Sequence, residues 1–342
     1  MSDLPVLTEA PHGVLADGFG RVARSLRVSV TDRCNLRCLY CMPAGRIRWF
    51  DKARILSFEE IRRVVAVAAS LGVREVRLTG GEPLLRRDLP VLVRMLRAID
   101  AIESVAVTTN ALLLKEQAAA LLEAGVTRFN VHLDSLEAST FEEASRRDSL
   151  ARALEGLAEL ERLGVRPIKV NVVLIRGVND HEIPRLGELA RRRPYQVRFI
   201  ELMPLGGGEP FEADRLVPGR EVRRRLEAIR PLVPVGRDRA SAPATVYRFA
   251  DGVGDVGFIN PVTEPFCARC DRIRLTADGM IRNCLFARSE TDLKSILRRG
   301  GSDADLAGAL RRDVAAKGRG GCLDLNDFYR ERLERKMWQI GG

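Results

Sequence analysis

The stretch LRVSVTDRCNLRCLYCMP (residues 26–43) opens as an alternating β-strand, LRVSV, and closes as a loop holding Cys34, Cys38 and Cys41. Successive strand side chains point to opposite faces, so Val28 lies on one side while Arg27 and Ser29 lie on the other. A parallel strand buried on both faces reads apolar on both parities. This one has a polar parity, and the loop that leaves it carries three thiols at spacings of three and two residues. Two thiolates make a redox pair and four close a zinc site. Three leave a position open on a metal, which is where chemistry takes place.

The same strand pattern recurs downstream. EVRLT (75–79), VAVTTN (105–110), FNVHLD (129–134), IKVNVVLI (168–175) and VRFIELM (197–203) alternate with helical stretches such as SFEEIRRVVAVAASLG, DLPVLVRMLRAI and LARALEGLAELERLG. Ser57 and Glu60 have the spacing of a capping box, and Gly72 and Gly164 read as helix C-terminal stops. Strands alternating with helices imply a parallel sheet with helices outside. The fold class expected is therefore α/β, an incomplete (β/α)6 TIM-type barrel. One strand parity is polar throughout: Arg27 and Ser29, Arg77 and Thr79, Thr108 and Asn110, Asn130, His132 and Asp134, Lys169 and Asn171, and Glu201 beside Met203. Six strands sharing that habit predict a wet channel lined by donors and charges.

After MPLGGGEPF (203–211) the composition shifts toward turn formers, and residues 231–265 read as a loop followed by short antiparallel strands. This places a barrel at 1–215 and a smaller C-terminal module at 216–342. Residues 300–322, beginning GGSDADLAGAL, read as a mobile excursion.

Composition restricts the function classes. Hydrophobic residues are 46% and charged residues 30% of the 342, as in an ordinary globular protein. No apolar run approaches the ~20 residues of a membrane span. The stretch MSDLPVLTEAPHG is not a secretory signal, so the cytoplasm is the expected compartment and no membrane partner is expected. The net charge of +10 comes mainly from arginines spread among glutamates on helices such as EVRRRLEAIR, which argues against a nucleic-acid partner. Seven cysteines in such a chain point to metal or catalysis rather than disulfides.

Those cysteines are grouped. Cys267, Cys270 and Cys284 form a second set of three in FCARCDRIRLTADGMIRNCLF (266–286), and Cys322, standing alone, reads as a free thiol. For each trio a zinc site with a borrowed ligand is one reading, and a cubane iron–sulfur cluster with one free iron is the other. TGGEP (79–83), at the end of the second strand, favours the cluster. Its paired glycines let backbone approach a ligand, while Glu82 and Pro83 fix the turn. Arg272 and Arg274, two apart on a strand, point the same way toward one anion, and arginine forks match phosphate oxygens.

Together, CxxxCxxC and GGEP resemble the radical S-adenosylmethionine superfamily. FGRVARSLRVSVTDRCNLRCLYCMP, TGGEPLLRRDL, RFIELMPLG, FCARCDRIRLTADG and the terminal IGG narrow this to the GTP 3′,8-cyclase family of molybdenum cofactor biosynthesis, which the chain resembles from about residue 17 to 342. The resemblance implies two [4Fe-4S] clusters, one on Cys34, Cys38 and Cys41 and one on Cys267, Cys270 and Cys284. It implies S-adenosyl-L-methionine beside Tyr40, Gly81, His132 and Met203. GTP would be held by Arg27, Arg77, Thr108 and Lys169, with Arg272, Ile273 and Arg274 on its phosphate side. The implied reaction abstracts hydrogen from ribose C3′, joins C3′ to guanine C8 and gives 3′,8-cyclo-7,8-dihydro-GTP.

Further partners implied are a reducing electron donor, the cyclic pyranopterin monophosphate synthase that acts next, and a second copy in a homodimer. His132 departs from the family, which generally has serine there; an imidazole in place of the hydroxyl bond is the plain reading and a pH-sensitive contact the sharper one. The IGG tail, Ile340 to Gly342, reads as a frayed end, and only the resemblance brings it into the active site. Two other classes compete: a radical enzyme that modifies a peptide with the help of an auxiliary cluster, and a zinc-bound nucleic-acid module.

Overall fold

The computed structural model describes residues 13–205, 213–320 and 335–341; Cys322 and Gly342 lie outside them. Six β/α repeats run from β1 (Ser25–Ser29) through α1 (Phe58–Ser70), β2 (Glu75–Thr79), α2 (Leu89–Arg97), β3 (Ser104–Thr109), α3 (Leu114–Glu123) and β4 (Arg128–His132). They continue with α4 (Ala138–Ser145), α5 (Leu150–Arg162), β5 (Ile168–Leu174), α6 (Ile183–Arg192) and β6 (Tyr195–Glu201). The helix signals act as expected. Ser57 Oγ accepts from the Glu60 amide at 3.1 Å while Glu60 accepts from the Ser57 amide at 2.7 Å, and Gly72 and Gly164 follow α1 and α5 at φ +101° and +74°.

The six strands pair in parallel and in sequence order. Their apolar parity (Leu26, Val28, Val76, Leu78, Val105, Val107, Phe129, Val131, Val170, Val172, Val197, Phe199) is no more than 2% exposed and packs beneath the helices in one core. Each such side chain contributes about 1.5–3 kcal/mol on burial, so the dry outer layer fixes the register and leaves the inner parity free for polar groups.

Past residue 213 the chain forms α7 (Gly219–Glu227), β7 (Leu232–Gly236), β8 (Thr245–Phe249) and β9 (Asp255–Ile259), then β10 (Arg272–Leu275), β11 (Met280–Arg282) and β12 (Thr291–Asp292). The antiparallel strands expected there are present, and they belong to the barrel sheet itself. β9 pairs in parallel with β6 and β10 in parallel with β1, giving one twelve-stranded sheet in the order β12-β11-β10-β1-β2-β3-β4-β5-β6-β9-β8-β7. The C-terminal segment thus extends both edges of the six-stranded array. Register sets Arg274 beside Arg27, which in turn lies beside Arg77.

One expectation is overturned. The stretch from residue 300, read as a mobile excursion, contains α9 (Asp303–Ala315), which comes after the short α8 (Lys294–Arg298). Ser302 and Asp305 form a capping box, and Leu306, Ala309, Leu310 and Val314 are at most 1% exposed in the main core. Their helical spacing is the signal that outweighs the glycines before it.

Candidate active site

Both cysteine trios open on one cavity inside the sheet. Its lining includes Cys34, Cys38 and Cys41, Cys267, Cys270 and Cys284, and inner-parity residues of the strands. Arg27, Arg77, Thr108, Asn110, His132, Asn171 and Met203 all face it, as the period-two reading predicted. Glu201 does not. On β6 it has the outer parity, where it caps the chain by accepting from the amides of Gly219, Val262 and Thr263 at 3.1, 3.0 and 2.9 Å. The inner residue there is Arg198, which sequence reasoning passed over.

In the first cysteine loop, Cys41 N and Met42 N both donate to the Cys38 carbonyl at 2.9 Å, and Leu36 N lies 3.4 Å from Cys34 Sγ. Burial pushes the Cys34 thiol up to about 12, helped by Glu82 and Cys38, and burial with Cys38 and Cys34 holds Cys41 well above the ordinary thiol range. Thiolates crowded out of water need a cation on them to ionise. This donor set, soft and three-membered, fits an iron–sulfur cluster.

The glycines of TGGEP line the cavity, and they also let two stretches of backbone meet. A Cβ on Gly80 would lie 2.5 Å from the Thr31 carbonyl and one on Gly81 would lie 2.2 Å from the Arg33 carbonyl. Their missing side chains make room for the cysteine loop's own backbone, into which Gly81 N and Glu82 N donate at 2.8 and 2.7 Å. Glu82 then ties strand ends together, accepting from Leu84 N at 3.1 Å, Thr109 Oγ1 at 2.7 Å and Asn110 N at 2.8 Å. Burial raises its carboxyl to about 7 against those bonds.

Tyr40 reaches across to the end of β4. Its hydroxyl lies 2.6 Å from His132 Nε2 and donates to Asp134 Oδ2 at 3.0 Å, while His132 Nε2 and Asp134 Oδ2 are 2.8 Å apart. Burial disfavours the imidazolium, but Asp134 and Cys38 outweigh it and hold His132 well above the ordinary imidazole range. Cys38, His132 and Asp134 offer ligand atoms within 4.8 Å of one another, so His132 stands against the cysteine loop.

The cavity is also cationic. Arg27, Arg77, Arg198, Arg272 and Arg274 line it together. Burial and mutual repulsion drive Arg27 and Arg77 well below the usual guanidinium range, and Arg274 to about 9. Burial brings Arg198 to about 10. Arg272 keeps its charge despite burial because of Cys270. The Nε atoms of Arg27, Arg198 and Arg272 are buried and have no hydrogen-bond partner among the described residues. Buried like charges with unused donors call for a polyanion with several acceptor oxygens.

Two predicted contacts sit apart. Lys169 Nζ is held by Asp238 of the β7–β8 connection, and Lys169 is not among the lining residues. Ile273, on the opposite parity from its arginine neighbours, is fully buried in the core, and its side chain is not among the lining residues. The tail does enter. Arg274 Nη1 donates to the Gly341 carbonyl, and a Cβ on Gly341 would meet Thr79 Oγ1 at 2.4 Å and Ser29 Cβ at 3.3 Å. The terminal helical turn α10 (Met337–Ile340) packs Met337 beside Leu205 and Phe286.

The comparisons agree with this geometry. Residues 28–190 match the radical SAM superfamily model and residues 195–321 match the Molybdenum Cofactor Synthesis C model. The GTP 3′,8-cyclase of Pelotomaculum thermopropionicum is 46% identical over 96% of this chain and 100% of its own length; that of Streptomyces coelicolor is 44% identical over 98% of each. In fold, Streptococcus suis SuiB bound to S-adenosylmethionine aligns over 85% of this chain and 68% of its own with a TM-score of 0.57 at 15% identity. With near-complete coverage at such identity, the chain belongs to the GTP 3′,8-cyclase family of radical SAM enzymes.

Proposed function

We propose that this protein converts GTP to (8S)-3′,8-cyclo-7,8-dihydroguanosine 5′-triphosphate, an early step of molybdenum cofactor biosynthesis. The observation that carries the reading is the shared cavity, lined by both cysteine trios and by five arginines, three of which have a buried Nε without a hydrogen-bond partner among the described residues. Cys34, Cys38 and Cys41 would hold one [4Fe-4S] cluster and Cys267, Cys270 and Cys284 the other, with Tyr40, Gly81, His132 and Met203 around S-adenosyl-L-methionine. When bound, the first cluster and S-adenosyl-L-methionine supply the electron and the 5′-deoxyadenosyl radical that such chemistry requires.

The chain's own contribution is binding, orientation and exclusion. Arg27, Arg77, Arg272 and Arg274 neutralise the triphosphate, joined by Arg198; Thr108 and the backbone at Ile273 add polar contacts. Lys169 joins them once Asp238 releases it. Binding energy collected on the phosphates, remote from the reacting carbon, fixes the conformer in which ribose C3′ faces guanine C8. Both atoms belong to one molecule, so orientation replaces an encounter. Phe266, Leu285, Phe286 and Met337 give the cavity an apolar wall that keeps water from the reacting carbon. A cytoplasmic setting, a reducing electron donor, a homodimer and delivery of product to a cyclic pyranopterin monophosphate synthase complete the reading.

The test uses GTP deuterated at C3′ with reconstituted protein, S-adenosylmethionine and a strong reductant under anaerobic conditions. Deuterium in 5′-deoxyadenosine together with a cyclised nucleotide is the expected result. Deoxyadenosine formed without label would overturn C3′ as the donor carbon.

A further inference from the structure

Lys317, just past α9, is 5% exposed. Its ammonium donates to the backbone carbonyls of Cys270 at 3.1 Å and Arg272 at 2.9 Å, and lies 3.6 Å from Cys270 Sγ. Among the described residues Cys270 Sγ is the only anion-capable atom it bonds. The Asp313 carboxyl also feels this charge but makes no bond to it, and a buried charge is costly without a counter-charge in contact, so the arrangement favours negative charge on that sulfur. The same turn is gripped from the other side. Arg21 donates to the Cys267 carbonyl at 2.8 Å, to Arg319 O at 2.9 Å and to Gly318 O at 2.6 Å, and is itself held by Asp17 at 2.6 Å.

Lys317 therefore differs from the arginines around it. Arg272 and Arg274 line the cavity and face whatever enters it, whereas Lys317 is not among the lining residues and approaches Cys270 from behind. We propose that Lys317 is a positioning residue for the second metal centre, fixing the Cys270 sulfur and stabilising the centre's reduced form from outside the substrate cavity. The proposal rests on the reading that Cys267, Cys270 and Cys284 hold a cluster. An N–H donor and a positive charge at a ligating sulfur both favour the more negative redox state, and cluster potentials respond to both.

The experiment isolates the second centre in the full chain carrying Cys34→Ala, Cys38→Ala and Cys41→Ala. After anaerobic reconstitution, iron and sulfide are assayed and the midpoint is measured by potentiometric titration followed by electron paramagnetic resonance. Adding Lys317→Met shifts the midpoint to more negative potential, while Lys317→Arg stays near the parent value. Loss of the cluster in Lys317→Met but not in Lys317→Arg supports the same role. An unshifted midpoint in Lys317→Met with iron retained overturns the proposal alone, as does an equal shift or equal cluster loss in both variants, which would mark a packing effect. A parent protein that takes up no iron would overturn the two-cluster reading and this proposal with it.

Discussion

Asp313 shows how one side chain makes stability depend on pH. Its Oδ2 is buried without a donor among the described residues, and its Oδ1 receives Thr291 Oγ1 at 3.4 Å. Burial pushes the carboxyl up to about 7; Thr291, Arg282 and Lys317 pull it down and Glu290 adds to the rise. The folded protein then binds this proton more tightly than the unfolded chain does. Its stabilising contribution is full in acid, below the ordinary carboxylate range, and is lost as pH rises through about 7. Asp313→Asn keeps the shape and removes the titration. In anaerobic melts from about pH 5 to about pH 8, the variant's melting temperature should gain on wild type as pH rises. A difference flat with pH would mean that Asp313 is ionised throughout.

The site was legible at this scale where period two is unambiguous. Arg27, Arg77 and His132 could be placed facing inward because their neighbours are aliphatic. Arg198 could not, because YQVRFIE carries polar residues on both parities, and the pattern favoured Glu201 on the wrong face. Asp238 on Lys169 was invisible for another reason: it comes from a connection whose path no local pattern records.

Elements in this fold are placed by how closely backbones approach. Within α5, a Cβ on Gly156 would lie 2.2 Å from the Ala111 carbonyl and 3.0 Å from Leu114 Cβ. In an isolated helix Gly→Ala is worth about 1 kcal/mol in favour of alanine. Here the methyl would have to displace the backbone that leads into α3, and such overpacking costs about 1–3 kcal/mol or more. The clash wins because a carbonyl on a short connection has nowhere to swing. Gly156→Ala should destabilise the protein by about 2 kcal/mol in chemical denaturation; an unchanged or higher midpoint would show that α5 can slide. Helix existence was legible from capping and spacing, as Ser57 and Glu60 show. α9 was misread because two glycines and a run of small residues precede and dilute an apolar stripe that only its burial against the core makes plain.

At the level of the whole molecule, the site exists because one sheet brings the two ends of the chain together. The six repeats were readable from alternation, but the parallel pairing of β10 with β1 joins strands that lie far apart in sequence, and no periodicity specifies a partner at that distance. That pairing carries Arg272 and Arg274 to Arg27, and the tail enters beside them. Arg335 governs its entry. Its guanidinium bonds Asp278 Oδ1 at 3.0 Å and Glu290 Oε2 at 2.9–3.0 Å, and it stacks 5.5 Å from the Phe50 ring centroid. Asp278 is also paired with Arg54 at 3.2 Å and Glu290 with Arg282, so both carboxylates keep a partner if Arg335 is lost. Arg335→Met should therefore leave the fold intact and loosen only the tail beyond it. Hydrogen exchange of the amides from Met337 to Gly341 should quicken at least about tenfold, the equivalent of about 1.4 kcal/mol, while exchange in β1 and β10 stays unchanged. Exchange at wild-type rates would assign the tail's hold to the buried Met337 and Trp338 instead.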